Sequence, residues 1–282
     1  MGGAEVAVAV ALGLAFAPAL ASLARVWSST DYLSHGFLVP LVSAWIAWAT
    51  RGRRRALPRE RDARGSVLVA LALGLYGASL LASSPSGEGL ALVAALAGAV
   101  WFLRGTRWLR ALAFPIGFLA FAIPIPPDWL APVIVRLLLF VSSASVAILH
   151  ALGVAVTRDG NVIGLPSGES LFVAEACSGL TSILTLAPIA TLVAYLSPLS
   201  ALRKLALVAL VVPIAMAANL LRVVGTVLGA RLWGVGFVTG DPVHVLLGLA
   251  VYASACLALL VAARALDGGG EPAEPGARAS RG

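Results

Sequence analysis

Cys177 lies in the stretch Glu175-Ala176-Cys177-Ser178-Gly179-Leu180, between a carboxylate and a Ser-Gly turn and just ahead of a long apolar run. Two more ionisable residues fall at ends of predicted membrane spans: Arg222 in Asn219-Leu220-Leu221-Arg222, and His244 in Gly240-Asp241-Pro242-Val243-His244. A thiol, a guanidinium and an imidazole at one membrane face are the groups that cysteine acyl transfer requires. The thiolate is the nucleophile, and an ordinary thiol with a pKa of about 8.5 is mostly protonated at neutral pH, so it needs a basic neighbour or a helix N-terminus. Ser178-Gly179 opens a span, which places Cys177 in its first turn, among outward-pointing N–H groups. Asp241-Pro242 is a helix start, which places His244 in the first turn of the last span. If both helices enter from one side, the imidazole can take the thiol proton and return it to a leaving amine. Arg222 would close the preceding span at the same depth, where its charge can hold an oxyanion or the thiolate. Asn219, three residues earlier, shares its helix face and can orient Arg222 or bind substrate backbone.

Each residue also has a plain reading. Cys177 could be a small buried side chain, Arg222 an interfacial snorkelling residue, His244 a loop histidine bonded to Asp241, and Glu175 a helix N-terminal acid. Their convergence matters because only 12% of the chain is charged, and an ionisable residue at membrane depth is a functional hypothesis by default. Cys256 lies inside an apolar helix and reads as core. No disulfide is expected between the two cysteines. There are too few clustered ligands for tetrahedral zinc, and no Gly-x-Gly-x-x-Gly or Walker pattern, so no cofactor is expected.

The elements that must position these residues are membrane helices. The chain has 282 residues, 60% of them hydrophobic, and a mean hydropathy of +0.97. A soluble domain carries roughly twice this charged fraction. The net charge of +7 does not point to nucleic acid, because the basic residues sit in short segments between apolar runs, the pattern of cytoplasmic loops.

The apolar runs are Ala4–Ala24, Phe37–Thr50, Ser66–Ser83, Gly89–Leu103, Ala111–Pro127, Ala131–Leu149, Gly179–Leu196, Leu205–Arg222 and Val243–Ala263. The first lacks a basic leader and reads as a retained span rather than a cleaved signal. Arg51 to Arg64, Arg104 to Arg110, Arg203-Lys204 and the tail are the basic segments. They stay on one side only if Ala111–Pro127, interrupted by Pro115, Pro124 and Pro126, is a half-helix or re-entrant dip whose backbone other protein covers. The predicted fold is therefore an all-α polytopic membrane protein of about eight transmembrane helices plus that Pro-rich segment. Both termini are cytoplasmic, and Cys177, Arg222, His244 and His35 lie at the outer face. Val162–Leu165 and Leu171–Val173 read as a small outer hairpin around Pro166-Ser167-Gly168, delivering Cys177 to the membrane surface. The membrane domain spans 1–266, and 267–282 reads as a disordered cytoplasmic tail.

Glu175-Ala176-Cys177-Ser178-Gly179, Asn219-Leu220-Leu221-Arg222, His244 with Gly248 after it, and Tyr32-Leu33-Ser34-His35-Gly36-Phe37-Leu38-Val39-Pro40 together resemble the exosortase/archaeosortase family of integral-membrane cysteine proteases and transpeptidases. The resemblance runs from about Asp31 to Ala263. It implies substrates that are exported proteins with a C-terminal tripartite sorting signal (a short motif, a transmembrane helix and a basic cluster, as in PEP-CTERM tags). These would be cleaved at the outer face of the cytoplasmic, or inner, membrane and passed to an envelope acceptor. It implies Cys177 as nucleophile, Arg222 as oxyanion or thiolate stabiliser and His244 as acid and base. Asn219, Glu175, Ser178 and His35 are the candidate supporting or substrate-binding residues beside them. Two other readings compete: a transporter with Arg222, His244 and Arg136 along a pathway, and a non-enzymatic subunit of an envelope-polysaccharide system.

Overall fold

The computed structural model describes residues 3–173 and 177–268. It is an all-α multi-pass membrane protein carrying one small antiparallel sheet. Among the described residues, six helices are long and apolar enough to cross a membrane, or seven if the bent pair Glu5–Ala15 and Ala17–Ser29 counts as one span. The expected count of about eight is reached by adding the shorter apolar helix Leu180–Leu196, of 17 residues. The chain divides into two compact units, residues 1–131 and 132–282.

In the first unit, α1 (Gly3–Ala15) and α2 (Ala17–Ser29) are bent by 54°. Pro18 at the start of α2 explains the break, since it has no N–H to give and its ring crowds the preceding turn. A 3-10 turn over Asp31–Phe37 leads into α3 (Leu38–Ala49), α4 (Arg51–Arg54), α5 (Arg64–Leu81) and α6 (Pro85–Arg104). Helices α5 and α6 form an antiparallel pair that touches backbone to backbone. A Cβ on Gly65 would fall 2.2 Å from the Phe102 nitrogen, and small residues at such a crossing let two membrane helices approach closely. Further along the pair, Ala72, Ala91 and Ala95 pack with the stacked rings of Phe16 and Tyr76, whose centroids are 4.5 Å apart.

The Pro-rich segment is short. After α7 (Thr106–Ala111), α8 (Ala113–Phe118) and a 3-10 turn over Leu119–Ala122 supply six and four residues. That is about 17 Å of rise, little more than half of a ~30 Å hydrocarbon core. Its carbonyls are covered by side chains from α2, the first 3-10 turn and α3. Trp27 Nε1 donates to Ala122 O (2.8 Å), His35 Nε2 to Phe121 O (3.2 Å) and Ser43 Oγ to Pro115 O (2.6 Å). Gly36 completes this arrangement, because a Cβ there would lie 2.5 Å from the Trp27 indole.

One end of this unit is strongly basic. Arg104 forms a two-point ion pair with Glu5 (2.6 and 2.7 Å). Asp62 accepts the Arg64 backbone N–H (3.0 Å), the Trp101 indole N–H (2.9 Å) and the Thr106 hydroxyl (3.2 Å), tying the start of α5 to the end of α6. The Arg64 N–H, with the Trp101 and Thr106 donors behind it, holds the Asp62 carboxyl below the ordinary carboxylate range.

The second unit takes up most of α9 (Pro127–Ala151), followed by β1 (Thr157–Asp159), β2 (Val162–Gly164) and β3 (Ser170–Phe172). The sheet order is β1-β2-β3, all antiparallel. The expected hairpin is β2 and β3; β1 is an added strand. Its three residues are all exposed, so no apolar alternation marked it, and it pairs only because Gly160 (φ +60°) turns the chain back. The inner face of the sheet, Ile163, Leu165, Leu171 and Val173, packs in one core with Val141 and Leu149 of α9. Then come α10 (Leu180–Leu196), α11 (Ala201–Ala209), α12 (Val211–Trp233), α13 (Val235–Thr239) and α14 (Asp241–Asp267). Met216, Val223, Val224 and Val227 of α12 join the core under the sheet, while Val211, Ala215 and Ala218 face a second one built with α10, α11 and α14. The predicted tail lies, from residue 269 on, outside the described residues.

Two outcomes follow. Gly36→Ala, which drives a methyl into the Trp27 ring, costs about 1–3 kcal/mol, and His35→Ala costs about 1 kcal/mol for its lost hydrogen bond. Both are read as a lowered thermal midpoint in detergent, and an unchanged midpoint for Gly36→Ala would refute the contact. Asp62→Asn lowers the midpoint at neutral pH. Because the folded carboxyl titrates below its unfolded value, the stabilisation is present above the ordinary carboxylate range and fades as pH falls through the lowered one. The gap between wild type and variant therefore closes on acidification, and a gap that persists in acid would show that the charge is not its source.

Candidate active site

Cys177 does not occupy the first turn of α10. It sits in a short 3-10 turn, and Gly179, two residues later, is the N-cap of the helix. Ser178-Gly179 does not simply open the span: Gly179 takes a left-handed conformation (φ +85°), which turns the chain off the helix axis between Cys177 and α10. This conformation favours glycine, and space favours it too: a Cβ would stand 3.0 Å from Met216 Sδ and 3.5 Å from Asn219 Cβ on α12. Ser178 is 1% exposed, and its Oγ accepts the Leu180 N–H at 3.2 Å, satisfying one of the free donors of the helix start.

Asn219 fixes the turn from the other side. It is 2% exposed, and its Nδ2 donates to the Cys177 carbonyl at 2.5 Å. The amide therefore anchors the nucleophile candidate's own backbone, instead of orienting Arg222. Cys177 is half-buried and opens on a small pocket of about 70 Å³, walled by Ile163, Leu171, Phe172 and Val173 from the sheet side and by Val223, Thr226 and Val227 from α12. The lining is almost wholly apolar apart from the Thr226 and Thr239 hydroxyls and the thiol.

Arg222 is not at the end of its helix. It lies midway along α12, which continues through it to Trp233. Hydropathy ends the apolar run at Arg222, but the helix runs on past it, and α14 lies against the guanidinium. The contact is at Gly248, where an added Cβ would stand 3.4 Å from Arg222 Nη2 and 3.6 Å from Cζ, ordinary van der Waals contact. His244 lies in the first turn of α14, as expected from Asp241-Pro242, and precedes Gly248 by four residues, so the two positions share one helix face. The His244 side chain and Glu175 lie outside the described residues.

The α12 stretch Met216–Asn219–Arg222, spaced at one helical turn, thus meets Gly179 ahead of α10 and Gly248 in α14. Cys177 and Gly179 meet Asn219 directly, and Arg222 lies three residues further along α12. His35 belongs to the first unit, bonded to Phe121 O. Trp27, which shares its work there, carried no sequence signal beyond being an aromatic near a span end. Among the described residues no group of three or more His, Cys, Asp or Glu is placed to hold a metal ion.

The chain matches the model of the transmembrane exosortase family (Exosortase_EpsH) over residues 27–261. No curated protein and no solved structure matches it. A match over most of the chain places this protein in the transmembrane exosortase family.

Asn219→Leu leaves the Cys177 carbonyl without its donor and costs about 1–3 kcal/mol. Gly179→Ala costs about 1–2 kcal/mol for its left-handed backbone. Both change the rate at which a small maleimide labels Cys177 in the folded protein, because the turn that presents the thiol is altered. Labelling at the wild-type rate in both variants would show that neither residue governs it.

Proposed function

We propose that this transmembrane exosortase is a membrane-embedded cysteine peptidase and transpeptidase. In this reading it cleaves the C-terminal sorting signals (of PEP-CTERM type) of exported proteins at the outer face of the cytoplasmic membrane and passes them to an envelope acceptor. The observation that carries the reading is the seat of Cys177. It is a half-buried thiol at the edge of an apolar pocket, its carbonyl held by a buried amide of α12, with Arg222 one helical turn further on and the His244 position on the face of α14 that the guanidinium touches.

In the reaction, His244 takes the Cys177 proton as the thiolate sulfur bonds to the scissile carbonyl carbon, whose π electrons move to oxygen. Arg222 stabilises that oxyanion, in a site where apolar walls keep water from weakening the interaction. Collapse of the intermediate breaks the C–N bond, and His244 returns the proton to the leaving amine, which departs with the transmembrane helix of the tag. The acyl group remains on Cys177 as a thioester. An acceptor nucleophile then attacks it, losing its proton to His244, and the thiolate leaves. Basic loops at Arg51 to Arg64 and Arg104 to Arg110 support an orientation with those loops in the cytoplasm.

The test is processing of a secreted reporter fused to the host's own C-terminal sorting segment, followed by size on a gel. Cys177→Ala abolishes the shortened product at equal enzyme level, and Arg222→Gln lowers it by about a hundredfold or more. Unchanged processing in Cys177→Ala would overturn the nucleophile assignment and return weight to a non-enzymatic or transport role.

A further inference from the structure

The sheet beside Cys177 has an open edge. Strand β3 is the last in the order β1-β2-β3, and among the described residues no strand pairs with its outer side. Its hydrogen-bond parity can be read from its neighbours. Val173 N donates to Asn161 O and Leu165 N to Glu169 O, both at the register in which Leu171 faces Ile163. In an antiparallel pair, bonded and non-bonded residues alternate. Glu169, Leu171 and Val173 thus direct their N–H and C=O groups to β2, while Ser170 and Phe172 direct theirs outward. Side chains alternate as well: Leu171 and Val173 are buried at 7% and 4% exposure, whereas Phe172 is 68% exposed. An aromatic at that exposure next to unpaired main-chain donors and acceptors is a template for another strand.

The edge lies beside the thiol. Phe172, Val173 and Cys177 line the same pocket, so a chain paired along Ser170 and Phe172 runs past the pocket on which Cys177 opens. We propose that β3 is the docking edge for the protein substrate. The extended segment ahead of the substrate's membrane helix adds as a fourth strand, using the N–H and C=O groups of Ser170 and Phe172, and Phe172 packs against one of its side chains. This rests on the peptidase reading above and assigns its recognition step. Main-chain pairing holds the peptide extended and presents its carbonyl face-on to the sulfur, and the adjoining pocket receives one side chain of modest size.

The edge can be tested without disturbing the sheet. Phe172→Pro removes the outward N–H but none of the bonds to β2, and proline is tolerated at such edge positions. Phe172→Ala removes the ring and keeps the N–H. Full-length enzyme would be assayed on the sorting-segment reporter, with maleimide labelling of Cys177 as the check on folding. Phe172→Pro is expected to cleave about tenfold more slowly than Phe172→Ala, the effect of one main-chain hydrogen bond, while labelling stays equal. Equal cleavage by the two variants would overturn the proposal. If Phe172→Pro fails to fold, wild-type enzyme is given synthetic sorting-segment peptides N-methylated at one position each. Sensitivity at every second residue supports strand pairing, and indifference along the whole segment overturns it. If wild type forms a dimer that Phe172→Pro dissociates with cleavage unchanged, the edge belongs to a second copy and the proposal fails. Cleavage that persists in Cys177→Ala removes the peptidase reading itself, and this proposal with it. Loss of cleavage in Cys177→Ala with Phe172→Pro matching Phe172→Ala removes this proposal alone.

Discussion

Backbone that leaves helical geometry inside a membrane protein has no water to bond, so its carbonyls must find donors among side chains. In the second unit that demand falls on the Cys177 turn, and the Asn219 amide meets it. The same bond sets where the sulfur is, because the turn cannot shift along α12 without giving up its donor in a buried place. The left-handed Gly179, the Ser178 cap and the pocket beside the thiol all presuppose that position. In the first unit the demand falls on the Pro-rich stretch, and Trp27, His35 and Ser43 meet it. The two halves of the chain thus solve one problem with different residues, one to hold the turn that carries Cys177 and the other to hold a short helix.

Packing follows a complementary rule. Where a ring or a backbone lies close against its neighbour, the facing residue has lost its side chain. Gly36 admits the Trp27 indole and Gly65 the α6 backbone at Phe102. Leucine and valine line the lipid-directed surface in bulk, but they give little reason for one helix to prefer another when the surrounding solvent is equally apolar. Specific pairing comes from these small residues and the few groups they receive.

Much of this was legible in the sequence, and the exceptions have physical causes. The thiol beside a Ser-Gly turn in a charge-poor chain stands out from composition alone, and so does the shortness of the segment between Ala111 and Pro127. The hairpin Val162 to Phe172 was visible in its alternation. Strand β1 was not, since a strand exposed on every residue has no hydrophobic signature. Hydropathy ends the apolar run at Arg222 because an isolated charge in lipid is unfavourable, yet the helix continues to Trp233, and the α14 residue beside the guanidinium is 26 residues further on (248 minus 222), beyond the reach of any local window. Likewise, Asn219 is three residues from Arg222 and invites pairing with it, but its partner is a backbone carbonyl 42 residues earlier. Long-range partners decided these last two cases.

The contact between Arg222 and Gly248 also bears on how the protein is made. Chains enter the membrane in order from the ribosome, and α12 emerges before α14. Until the last helix arrives, α12 offers the bilayer a guanidinium in the middle of an apolar stretch, at a cost of about 2.5–3.5 kcal/mol if it faces lipid at the helix centre. Helix α14 supplies the position beside the guanidinium, Gly248, and, in the same N-terminal half, His244. The surroundings of Arg222 are therefore completed only by one late event in biosynthesis. A nascent chain stalled before α14 would have its thiol and its arginine but neither the helix face against that arginine nor the imidazole.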